Sequence, residues 1–148
     1  PHPVVNSVNE RLAEEEALGL NRPEALLRFG DRITAVRDTV MSLLDDLRDR
    51  RAKVAGYGAP AKSTTLLYHF GIGPETLKYI VDDSPRKQGL CTPGLHIPVL
   101  PARALETQPV DCLFILAWNF ADSIMENLRL FRAEGGQFLV PLPEPKIQ

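Results

Sequence analysis

Lys53-Val54-Ala55-Gly56-Tyr57-Gly58-Ala59-Pro60-Ala61-Lys62-Ser63 reads as a short buried strand, a tight glycine turn and the first turn of a helix opened by Pro60. Such a turn aims unpaired backbone N–H groups and the positive end of the helix dipole at one point, so a phosphate is its natural guest. Gly56-x-Gly58-x-x-Ala61 also fits a dinucleotide fingerprint with alanine in third place. Asp82, 26 positions after Gly56, is spaced to hold the ribose diol of NAD. A Walker A loop fits less well: alanine stands where glycine should precede Lys62, and Pro60 removes an N–H that the cradle would use. The bland alternative is a glycine turn kept for close strand-to-helix packing.

Lys62 argues for an anion. A lysine in the first turn of a helix opposes the macrodipole by a few tenths to about 1 kcal/mol unless negative charge lies near. That charge is either a bound phosphate or, internally, Asp82 or Asp83. Ser63, Thr64 and Thr65 carry hydroxyls that suit a phosphate or a bond back to the previous turn equally.

The rest of the chain extends this pattern. With 148 residues, 44% of them apolar, and a net charge of −2, it has the size and balance of one globular domain with appendages. There is no basic excess to hold nucleic acid, and no run near the roughly 18 apolar residues of a membrane span. Cys91 and Cys112 have no metal-type spacing, which fits a reducing, cytoplasmic setting. The half-polar opening from Pro1 reads as part of a longer protein.

Residues Pro1 to Val8 read as a linker, Asn9 to Leu18 as a short acidic helix ended by Gly19, and residues 23–51 as one long amphipathic helix. In that helix Leu26, Phe29, Ile33, Val36, Val40, Leu43 and Leu47 recur at spacings of three and four. The stripe either lies along the chain's own α/β body or a neighbouring domain, or forms a seam between two copies in a homodimer. From Ala52 strands and helices alternate: strands over Val54–Tyr57, Lys78–Val81, Cys112–Ala117 and Phe138–Val140, helices over Pro60–Phe70 and Asp122–Glu134, and a helical turn from Pro101 to Glu106. The expected fold over 52–148 is a three-layer, Rossmann-like α/β domain with a mostly parallel sheet, fronted by residues 1–22 and the long helix.

Ligands of such sheets gather at the carboxyl ends of the strands. Those ends carry Gly56-Tyr57-Gly58, Asp82-Asp83, Trp118-Asn119-Phe120 and Pro141-Leu142-Pro143. Trp118 and Phe120 can stack on a base that the Asn119 amide reads, or simply cap the core. Asp82 and Asp83, adjacent on a strand, point to opposite faces and so would not share a proton. Ser84 to Pro98 is a long proline- and glycine-rich loop carrying Lys87 and His96, functional or disordered by its length. His2 and His69 read as incidental. No nucleophile with a matched base and no metal cluster stands out.

Five ordered motifs carry a family resemblance: Val54 to Lys62, Val81-Asp82-Asp83-Ser84-Pro85-Arg86-Lys87-Gln88-Gly89, Thr92-Pro93-Gly94-Leu95-His96-Ile97-Pro98, Leu116 to Phe120, and Val140-Pro141-Leu142-Pro143. Together they resemble the C-terminal domain of S-adenosylmethionine-dependent C-methyltransferases that act on nucleotide-linked keto sugars. The resemblance implies that S-adenosylmethionine, zinc, and the catalytic acid and base belong to other domains of the parent. This domain would then bind no cofactor and be inactive alone. It also makes the pyrophosphate of a nucleotide sugar, with dTDP as the expected carrier, a better guest than NAD for Gly56, Tyr57, Gly58, Ala59 and Lys62. Asp82 completes that end, Trp118, Asn119 and Phe120 border the substrate cleft, and Lys87 and His96 face the S-adenosylmethionine-binding domain. The rivals are an NAD(P)-binding domain of an oxidoreductase and a domain that only packs.

Overall fold

The computed structural model describes residues 6–148. Pro1 to Val5 of the expected linker lie outside the described residues, and the chain is already helical from Asn6. Helix α1 covers Asn6–Ala17, and Gly19 follows it with a φ of +68°. Helix α2 covers Pro23–Asp49. The chain divides into two compact units, one ending at Ala35 and the other running from Val36 to Gln148, so the division falls inside α2.

The larger unit is an α/β Rossmann-like body. Its strands are β1 (Val54–Tyr57), β2 (Ile80–Val81), β3 (Val99–Leu100), β4 (Cys112–Ile115), β5 (Gln137–Val140) and β6 (Lys146–Ile147), in the spatial order β3-β2-β1-β4-β5-β6. All neighbours pair in parallel except β5 with β6. The order reverses direction between β1 and β4, the position at which open α/β sheets form their ligand crevice. Two short strands escape the sequence reading: β3, at the end of the long loop, and β6, which returns beside β5.

Alternation along the strands sends side chains to opposite faces. Val54, Ile80, Cys112, Phe114 and Leu139 face one core. There they meet Val40, Leu44 and Leu47 of α2, and Leu66, Leu67 and Phe70 of α3 (Ala61–Phe70). Ala55, Tyr57, Val81, Leu113, Ile115 and Phe138 face a second core, closed by α4 (Ala104–Thr107), α5 (Ala121–Asn127) and α6 (Arg129–Ala133). Each fully buried large apolar side chain contributes about 1.5–3 kcal/mol, so these two layers dominate stability.

Several boundaries differ from expectation for local reasons. Pro60 stands just before α3, in extended geometry, because the turn needs its fixed φ there. The single helix expected over Asp122–Glu134 breaks at Leu128 into α5 and α6, and Trp118–Phe120 forms a 3-10 turn after β4. The long loop is ordered. Gly89 N–H bonds the Val99 carbonyl, Val99 N–H the Leu90 carbonyl and Thr92 N–H the Ile97 carbonyl, while the buried Thr92 hydroxyl accepts from Ile97 N–H at 3.0 Å. These bonds fold 89–99 into a hairpin that delivers β3 to the sheet edge.

Candidate functional site at the carboxyl ends of β1, β4 and β5

The glycine turn is built by close approach. Gly58 has a φ of +83°, and a Cβ there would stand 2.6 Å from the Ala117 Cβ. A Cβ on Gly56 would stand 2.8 Å from Ile80 and 2.9 Å from Leu116. Both glycines are therefore required by packing around the β1–β4 switch point, whatever else they do.

Counting the turn's donors narrows where it could meet a phosphate. Gly58 N–H donates to the Val81 carbonyl at 2.7 Å, and Ala59 N–H donates to Asp82 Oδ2 at 2.7 Å. Ser63 is buried, and both its N–H and its hydroxyl bond back to the Pro60 carbonyl. The anion seated against the Ala59 end of the turn is thus the protein's own Asp82 carboxylate. Only Ala61 and Lys62 still offer unbonded N–H groups in the first turn of α3, among the described residues.

Both oxygens of Asp82 are engaged. Its Oδ1 accepts from Ser84 N–H at 2.9 Å, and its Oδ2 also accepts from Lys87 Nζ at 3.0 Å. Burial pushes this carboxyl up, but the Ala59 and Ser84 N–H groups and the Lys87 ammonium outweigh burial and hold it below the ordinary carboxylate value. The expectation that Lys62 is its ion-pair partner is therefore corrected: Lys87, five residues on in the same loop, takes that place. A ribose at this end of β2 would have to compete with the Ala59, Ser84 and Lys87 donors for this acid. Asp83, on the opposite face as expected, instead accepts from the Tyr57 hydroxyl at 3.3 Å. Burial, then Asp83, push the Tyr57 phenol up to about 12, which keeps it a hydrogen-bond donor at neutral pH. Burial likewise pushes the Cys112 thiol up to about 12 and makes it inert.

Lys62 points elsewhere. Its Nζ lies 3.9 Å from the centre of the Trp118 ring, a cation–π contact across the switch point. It has no carboxylate partner among the described residues. Trp118 packs against both cores, so one indole face carries Lys62 and the rest of the ring caps the layers beneath. Asn119 and Phe120 follow in the 3-10 turn with their side chains out, Phe120 66% exposed. An open groove of about 450 Å³ runs from these three residues to Leu142, Glu144 and Lys146 beyond β5.

The structure thus brings Lys62 onto Trp118, and Trp118, Asn119 and Phe120 line the groove, of which Lys62 is not a wall. Gly56, Gly58, Ala59 and Asp82 form the scaffold beneath, and Lys87 locks it. His96 is exposed on the hairpin at a φ of +55° and makes no side-chain hydrogen bond among the described residues. Glu144 and Lys146, the far wall of the groove, were not expected. The sequence reading places Pro141-Leu142-Pro143 at the carboxyl end of a strand and does not extend to β6, which returns to line the groove. Among the described residues no group of three His, Cys, Asp or Glu is placed to hold a metal, and no helix is long and apolar enough to cross a membrane.

Comparison with known proteins agrees with the resemblance. The family described as the C-methyltransferase C-terminal domain matches residues 1–143. The C-methyltransferase NovU of Streptomyces niveus is 36% identical over 146 residues, which is 99% of this chain and 35% of NovU. The chain thus spans about a third of that relative's length. On both counts, it belongs to the C-methyltransferase C-terminal domain family.

Proposed function

We propose that this domain serves an S-adenosylmethionine-dependent C-methyltransferase as its substrate-side domain, helping to bind a nucleotide-linked keto sugar, with dTDP as the carrier, and to close the active site in the cytoplasm. The observation that supports it most is Lys62: a cation with no carboxylate partner among the described residues, held on Trp118 at the switch point. The free Ala61 and Lys62 N–H groups and the helix dipole reinforce it as an anion contact. Asn119 and Phe120, which follow Trp118 and line the groove with it, offer an amide and an aromatic face to a base or sugar. The chemistry of the reaction, deprotonation beside the keto group and attack of the resulting enolate on the donor methyl, belongs to acid and base groups outside this domain.

Calorimetric titration with a thymidine diphosphate sugar, against NAD and S-adenosylmethionine, tests this reading. The sugar nucleotide should bind selectively. Lys62→Met should then weaken it by about 10- to 150-fold, the loss of a charge-assisted hydrogen bond of roughly 1.5–3 kcal/mol. Phe120→Ala should remove a stacking contact of about 1–3 kcal/mol. A loss below twofold for Lys62→Met would remove that residue from the site. Preferential NAD binding would overturn the reading in favour of an oxidoreductase domain, and binding of none of the three would favour a packing role.

A further inference from the structure

The heptad stripe of α2 has two fates. From Val36 onward it is spent on the sheet: Val40 and Leu47 are buried together with their neighbour Leu44, and Val36 and Leu43 pack beside them. Before Ala35 the same stripe continues without interruption, yet Leu26 is 67% and Phe29 53% exposed, and their neighbour Leu27 69%. Helix α1 repeats the pattern, with Val8 and Leu12 a turn apart and exposed and no residue of the helix buried. A twelve-residue helix with no buried side chain is at the margin of what propensity alone sustains. A run of large apolar side chains on one small unit is the mark of an interaction surface.

We infer that the apolar face of α1 and the first half of α2 docks on the remainder of the methyltransferase polypeptide that precedes this domain. Two observations choose that occupant over a second copy of the chain. The family is by its description a C-terminal domain, and the chain spans only 35% of its relative NovU, so most of such an enzyme is other polypeptide. A coiled-coil seam, in turn, would need the whole stripe, and Val40 and Leu47 are already committed to the chain's own core. This inference rests on family membership and stands apart from the nucleotide-sugar reading.

Hydrogen exchange tests it, comparing the intact methyltransferase with the 148-residue chain. Amides of α1 and of α2 before Ala35 should exchange at least tenfold more slowly in the intact protein. Leu26→Glu combined with Phe29→Glu should abolish that difference while leaving the amides of β1 and β4 equally protected, which shows the body still folded. Equal exchange of the segment in the intact protein and the isolated chain would overturn the inference. So would protection in the isolated chain that rises with its concentration, since that outcome assigns the face to a second copy.

Discussion

Gly58→Ala should destabilise the domain by about 2–5 kcal/mol and lower its thermal midpoint by about 8–20 °C, at about 4 °C per kcal/mol for a chain of this size. Two costs add. An alanine at a φ of +83° pays about 1–2 kcal/mol for the left-handed conformation. Its Cβ then meets the Ala117 Cβ at 2.6 Å and the Ala117 nitrogen at 3.3 Å, and overpacking of this kind costs about 1–3 kcal/mol. Gly71→Ala separates the two. Gly71 has a φ of +72°, but nothing lies within 4 Å of where its Cβ would be, so only the conformational part should appear. Ala117→Gly in the Gly58→Ala background should recover about 1 kcal/mol or more, and additive effects of the two changes would refute the close-approach account. Because Ala117 leads into Trp118, the strained variant should also disturb the Lys62–Trp118 contact.

The layers of this fold are written in local pattern. The apolar runs at β1 and β4, the glycine stop at Gly71 and the α2 stripe each follow from residues close in sequence; β1 and the stop stand where expected, while β4 ends at Ile115, two residues short of the expected Ala117. The two-residue strands β3 and β6 carry no periodicity, and they exist only because a hairpin and a proline turn bring them to a sheet already formed. The site divides in the same way. The sequence exposes Gly56-x-Gly58 and Trp118-Asn119-Phe120 as candidates, but which cation meets which acid depends on how loops close. The sequence reading sets Lys62 against Asp82 or Asp83 and has Lys87 facing a neighbouring domain. The turn after β2 bends Lys87 onto the acid, and the β1–β4 pairing, a long-range contact, carries Trp118 beneath Lys62. The bond from Ala59 N–H to Asp82 follows from the same closure, so this part of the fingerprint serves as a structural tie and leaves Ala61 and Lys62 for an anion.

Asp82→Ala should cost about 2–4 kcal/mol, although the residue touches no proposed ligand. Breaking a buried ion pair by removing one partner costs about 3–5 kcal/mol when both charges are buried. Lys87 keeps 43% of its side chain in water, so the charge part is discounted. The Ala59 and Ser84 N–H groups nevertheless lose their acceptor, at about 1 kcal/mol or more each. The pH dependence identifies the mechanism. The folded carboxyl titrates below its unfolded value of about 3.9, so on acidification the unfolded chain takes up the proton first. The stabilisation from this group is therefore complete above about pH 5 and is lost as pH falls through the folded pKa. Denaturation of the parent and of Asp82→Asn across that range should show a gap that is constant at neutral pH and narrows below about pH 4. A gap that persists unchanged into acid would mean that Asp82 acts through packing alone. If the variant, folded at neutral pH, binds the sugar nucleotide as the unsubstituted chain does, Asp82 holds the turn in shape and is not itself a ligand contact.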